Sequence, residues 1–174
     1  TVGGRGAGLT AYSNAYAMWI LPHSLVTVSL ATAMLPTASR LAAAGDLPAV
    51  GAETMRAIRL AMTALLPAAV AFLVLGLPLA HLVFGFGQGA KDAGYVGGAL
   101  MALAIGLVPF TVQYICLRAF YALEDTRTTF FLQCLIAGAN VVLGVAAVVL
   151  LDNPALVATG LALSYSAAYL IGLP

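Results

Sequence analysis

The sequence predicts an all-α fold, a polytopic transmembrane helical bundle with about five spanning helices. Three observations carry that expectation. Of the 174 residues, 63% are hydrophobic and only 7% are charged, whereas a soluble domain carries about 25% charged residues to keep its surface wetted. The mean hydropathy is +1.05. The apolar residues also fall in long unbroken runs without Asp, Glu, Lys or Arg. A spanning helix needs about 20 mostly apolar residues, and the alternating ten-residue segments of a membrane β-barrel are absent.

Five windows meet the length requirement: residues 15–35, 60–84, 95–117, 129–151 and 156–173. The segments between them read as connections. The first, residues 37–59, is long and contains Gly45-Asp46-Leu47-Pro48, a turn followed by a new helix start. There Asp46 is placed to cap and Pro48 suits the first turn. Residues 85–94 read as a flexible polar loop, residues 122–128 as a short polar connection, and Asp152-Asn153-Pro154 as a tight turn. No internal repeat is visible. Thr1 in place of an initiator Met, the absence of a signal peptide, and an end at Pro174 inside an apolar run suggest a piece of a longer protein.

Basic residues set the expected orientation. Arg40, Arg56 and Arg59 lie in the first connection and Arg118 and Arg127 flank the third, against Arg5 and Lys91 on the opposite side. The positive-inside rule therefore places the first and third connections in the cytoplasm.

Several function classes fall away. A net charge of +1 gives no global attraction for nucleic acid. Cys116 and Cys134 lie in apolar runs without metal-ligand spacing and read as small hydrophobes. The glycines of Gly85-Phe86-Gly87-Gln88-Gly89 follow a span and lack the Lys-Ser/Thr of a phosphate cradle. His23 and His81 have no carboxylate or cysteine close in sequence, and read as packed or interfacial. No catalytic residue, metal site or cofactor is expected, and the chain does not read as an enzyme.

What remains is a set of polar positions inside the spans. Ser13, Ala17, Ser24, Thr27 and Ala31 fall near one face of the first span at 100° per residue, with Asn14 adjoining it. Such a face either packs closely on another helix or lines a wet cavity that accepts a polar head group. In the third span Thr111, Tyr114 and Arg118 share a face, with Gln113 nearby. Arg118 lies near the cytoplasmic end, where it anchors the helix, snorkels to lipid phosphates or holds a phosphorylated substrate. Pro22, Pro36, Pro67, Pro78 and Pro109 sit in or at the edges of spans. They are either ordinary membrane-helix prolines or kinks beside a cavity. The candidate substrate-cavity residues are thus Ser13, Asn14, Ser24, Thr27, Thr111, Tyr114 and Arg118. Asp125 and Arg127 read as residues that cap and pin helix ends.

Two stretches resemble the MurJ/MviN family of lipid II flippases, within the multidrug/oligosaccharidyl-lipid/polysaccharide exporter superfamily. One is AYSNAYAMWILPHSLVTVSLATAMLPTASRLAAAGD, residues 11–46; the other is RAFYALEDTRTTF, residues 118–130. The resemblance runs over nearly the whole chain. It implies most of a C-terminal lobe, near the family's eighth to twelfth helices, beside a cavity that opens alternately to each side of the membrane. The implied function is flipping of lipid II from the inner to the outer leaflet of the bacterial cytoplasmic membrane. Its implied partners are an undecaprenyl-pyrophosphate-linked substrate, membrane lipids and cell-wall synthesis proteins. The chain departs from the family pattern at Ala17 and Ile20, where many members carry charge, and at Thr129, where Pro is usual. Alternative readings are an exporter of another lipid-linked oligosaccharide or drug, a membrane enzyme acting on lipid-linked sugars, or a scaffold of the cell-wall machinery.

Overall fold

A computed structural model describes residues 2–86, 93–151 and 154–172. Among these residues every regular element is helical. The part of the Gly-rich loop after Phe86, with Lys91, and the Asp152-Asn153 pair lie outside the described residues, as does the side chain of Arg5.

The chain opens with one long helix in three parts: α1 (Val2–Pro22), a π-helical turn (His23–Thr27) and α2 (Val28–Ala43). It continues with α3 (Leu47–Phe84), α4 (Ala93–Ala122), α5 (Thr126–Leu150) and α6 (Pro154–Ile171). Among the described residues four stretches are long and apolar enough to cross a membrane: Leu9–Ala43, Leu47–Phe84, Ala93–Ala122 and Thr126–Leu150. α6 has 18 residues, which at 1.5 Å per residue is about 27 Å, close to the thickness of the hydrocarbon core. The protein is a multi-pass α-helical membrane bundle.

The expected connection over residues 37–59 is not a loop. α2 runs on to Ala43 and α3 starts at Leu47, leaving three residues between them. Arg56 and Arg59 interrupt the hydropathy but not the helix, since Arg is a good helix former and hydrophobicity is not what closes backbone hydrogen bonds.

The short α2–α3 and α4–α5 connections share one hydrogen-bonding design. At the first, the Gly45 N–H donates to the Ala42 carbonyl (2.9 Å) and the Asp46 N–H to the Leu41 carbonyl (3.0 Å). At the second, the Glu124 N–H donates to the Tyr121 carbonyl (3.1 Å) and the Asp125 N–H to the Phe120 carbonyl (3.0 Å). This pairing satisfies the last carbonyls of a helix and needs a left-handed residue at its centre. Gly45 takes that conformation at φ 76 without a Cβ penalty, and Glu124 takes it at φ 58. Each Asp then caps the next helix. Asp46 Oδ1 accepts from the Ala49 N–H at 3.0 Å, and Asp125 Oδ1 accepts from the Thr128 N–H at 3.1 Å. The turns sit side by side at one end of the bundle, with a groove of about 420 Å³ between them.

The second cap has a pH signature. Hydrogen bonds from Thr128 hold the Asp125 carboxyl below its ordinary value. A carboxylate with a depressed folded-state pKa stabilises above its unfolded pKa, about 3.9, and the effect is lost as pH falls through the folded value. Asp125→Ala should therefore lower the melting temperature in detergent at pH 6. The gap to wild type should close progressively below about pH 4. A gap that widens in acid would show that another group governs this turn.

α4 occupies the centre of the bundle. In its most apolar window 61% of residues are buried, against 11% for α5. α3, α6, α1 and α2 pack around α4. The α3–α4 crossing is closest at Gly97, where an added Cβ would lie 2.9 Å from Leu77 Cα and 3.2 Å from the Gly76 carbonyl oxygen. α6 is tied to α4 by Ser166, whose buried hydroxyl donates to the Ala102 carbonyl at 3.0 Å. α5 instead leaves Phe130, Phe131, Val142, Val145 and Val149 exposed. So continuous an apolar face is stable only against lipid or protein.

Candidate functional site

The polar positions inside the spans divide into two groups on opposite faces of the α1–α2 helix, and the π turn is what divides them. A π-helical turn adds one residue to the ladder, so every residue beyond it is rotated by about 100° from its α-helical direction. Upstream, Ser13, Ala17, Leu21 and Ser24 share the exposed face. An uninterrupted α-helix would continue that face through Val28, Ala31 and Leu35. In the structure it continues through Ser29, Thr32 and Pro36, all exposed. Thr27 and Ala31 turn inward and are fully buried. The expected single face of Ser13, Ala17, Ser24, Thr27 and Ala31 is therefore corrected: its last two members lie on the other side. Asn14 flanks the exposed stripe and is half-buried.

The four hydroxyls of the open stripe bond in the same way. Ser13 donates to the Leu9 carbonyl (3.0 Å), Ser24 to Ile20 (2.8 Å), Ser29 to Leu25 (2.7 Å) and Thr32 to Val28 (2.7 Å). Their donors are thus spent on their own helix. Each oxygen still has a lone pair directed away from the backbone. The result is a row of acceptors running along a transmembrane helix on a face that none of the described residues covers.

The second group is inside. His23, 2% exposed, opens the π turn and points at α4. Its Nδ1 lies 3.4 Å from Thr111 Oγ1. Its ring is 4.3 Å from that of Phe110 and 5.2 Å from that of Tyr114, edge-on to the latter. Arg118 Nη2 donates to Tyr114 Oη at 2.7 Å, and its guanidinium carbon stands 5.0 Å from the same ring's centre. Aromatic residues seal this core from the other end of the helix. Trp19 packs on Tyr16, Phe110 and Tyr165 at 5.4, 5.0 and 5.6 Å.

The structure thus brings Thr111 and Tyr114 against His23, for which the sequence predicts a packed or interfacial place, and Arg118 joins the set through Tyr114. It does not bring them to Ser13 or Ser24. Gln113 is buried apart from the set, and neither end of its amide has a hydrogen-bond partner. The Thr27 hydroxyl is likewise buried without one. An unsatisfied buried hydroxyl costs about 1–3 kcal/mol. Thr27→Val, which keeps the shape, is therefore expected to stabilise the full-length protein by about 1 kcal/mol. Thermal unfolding in detergent checks this, and a drop in stability would mean that the hydroxyl is bonded. Among the described residues no group of three His, Cys, Asp or Glu comes together as a metal site.

The architecture and sequence both have close parallels. A probable lipid II flippase MurJ of Rhizobium meliloti (strain 1021) is 32% identical over 143 residues, covering 82% of this chain and 26% of that protein. A second, from Rickettsia prowazekii (strain Madrid E), is 29% identical over 108 residues, covering 62% and 21%. A solved structure of lipid II flippase MurJ in an inward closed conformation superimposes with a TM-score of 0.81 at 22% identity. It covers 95% of this chain and 34% of its own. The chain spans about a quarter of the length of the curated relatives it matches. The sequence pattern of the family described as "Lipid II flippase MurJ" matches residues 5–174. With nearly its whole length inside that pattern, the chain belongs to the lipid II flippase MurJ family.

Proposed function

We propose that this chain forms one wall of the cavity through which lipid II is flipped from the inner to the outer leaflet of the bacterial cytoplasmic membrane, as part of a longer protein. The observation that carries the reading is the open stripe Ser13–Ser24–Ser29–Thr32. A helix face turned to hydrocarbon gains nothing from four hydroxyls. A face turned to a sugar-peptide head group offers it hydrogen-bond acceptors along the crossing. Beyond its first turn α5 exposes a mainly apolar surface, Phe130, Phe131, Val142, Val145 and Val149 among it, which suits lipid tails. The arginines at the turn-bearing end support a cytoplasmic position for that end. Alternating access needs no bond to be made or broken, and the stripe's hydroxyls spend their donors on their own helix.

The test is depletion of the full-length protein in its host, with lipid II on the outer leaflet measured by an impermeant labelling reagent. A fall in accessible lipid II with build-up on the inner leaflet supports the reading. Unchanged accessibility, in a host lacking a redundant flippase, contradicts it and redirects the search to other exported lipids.

A further inference from the structure

The π turn needs something to hold it. Its hydrogen bonds are poorer than those of an α-helix, and such turns persist where tertiary contacts over-determine them. Pro22, directly before the turn, has no N–H to give the Met18 carbonyl, which lowers the cost of breaking the ladder there. That explains where the extra residue is tolerated but not why it stays. Inside the turn Thr27 opposes it, since its hydroxyl is buried without a partner. The contacts that favour it are those of His23, with its imidazole in hydrogen-bond contact with Thr111 and between the rings of Phe110 and Tyr114.

The consequence of the turn lies elsewhere on the same helix. With it, Ser29 and Thr32 carry the hydroxyl stripe into the cytoplasmic half of the membrane. Without it, the same surface would show Val28, Ala31 and Leu35, a fully apolar row, and the stripe would end at Ser24. We propose that His23 is a positioning residue for transport: seated against Phe110, Thr111 and Tyr114, it holds the extra residue in the helix and so turns Ser29 and Thr32 onto the cavity wall. This rests on the stripe being the substrate-facing wall, and it assigns the polarity of the lower half of that wall to a side chain that never touches substrate.

The test uses the full-length protein with single cysteines at Ala31 or Ala33, each carrying a nitroxide spin label, in lipid vesicles. Collisions with a water-soluble nickel chelate report exposure to a wet cavity, collisions with oxygen report exposure to lipid, and immobilisation reports burial. In the structure Ala31 and Met34 are buried and Thr32 and Ala33 exposed; without the extra residue Ala31 takes the direction of Thr32, and Ala33 that of Met34. With His23 present, the label at 33 should be mobile and at least about tenfold more accessible to nickel than the label at 31. In His23→Leu, and in the milder Thr111→Val, the pattern should invert, with 31 exposed and 33 immobilised. His23→Gln, which can still bond Thr111, should restore the original pattern. Unfolding would free both labels together and cannot mimic an inversion. If 33 stays accessible and 31 stays buried in both variants, the positioning role of His23 is overturned. If the label at 33 meets oxygen rather than nickel in the wild type, the register is still readable, but the stripe faces lipid and the cavity reading falls.

Discussion

Ser24→Trp in the full-length protein is expected to cut lipid II flipping at least about tenfold while leaving the fold intact. Ser24 is exposed and its hydroxyl bonds only to its own helix, so no packing contact depends on it. In the cavity the change has two costs. It removes an acceptor worth about 0.5–1.5 kcal/mol to a polar head group and places a bulky apolar wall in its path. A loss near 1.4 kcal/mol is already tenfold in rate or affinity. The matching control is Val142→Trp on α5, a site 68% exposed on the apolar side, where activity should not change. Equal loss at both positions would mean that bulk anywhere on the surface is harmful and that the stripe is not special.

Gly97→Ala is expected to destabilise the protein by about 1–3 kcal/mol through overpacking alone. The new methyl would sit 2.9 Å from Leu77 Cα and 3.2 Å from the Gly76 carbonyl oxygen. These are backbone atoms, so α3 and α4 must move apart rather than a side chain step aside. Gly51 and Gly138, also helical, have nothing within 4 Å of the same position. There Ala should be neutral or stabilising by up to about 1 kcal/mol, because Gly is the poorer helix former. Thermal unfolding of the three variants in one detergent separates close approach from helix propensity. A stable Gly97→Ala would contradict the close α3–α4 crossing.

Much of the architecture is written in local terms that a sequence displays. Run length and lack of charge mark the spanning helices, and Asp46 announces its cap because its carboxylate need only reach three residues ahead. Arg56 and Arg59 make residues 37–59 look like a connection, yet α3 runs through both, since charge signals the edge of a membrane and not the end of a helix. The π turn was harder to see. Between Ala11 and Leu35 most residues are small or apolar, so both sides of the helix look alike and a one-residue slip leaves little trace in hydrophobicity. The trace that exists is the spacing Ala11, Ala15, Trp19, His23, Thr27. All five are buried at intervals of four, where a straight helix would drift off by about 40° at each step. A period of four beside Pro22 was the available signal. The pairing of His23 with Thr111 joins residues 88 apart in the chain. No local pattern encodes it, because it depends on how α1 and α4 pack.

The most direct test of the stripe as the substrate-facing wall is photocrosslinking in the full-length protein. A photoreactive amino acid is placed at Ser24, Thr32 or Val145, and capture of lipid II is measured in native membranes. Crosslinks from Ser24 and Thr32, with none from Val145 on α5, are what the account predicts. Capture from Val145 with none from the stripe would contradict it and put the substrate path on the opposite side of the lobe.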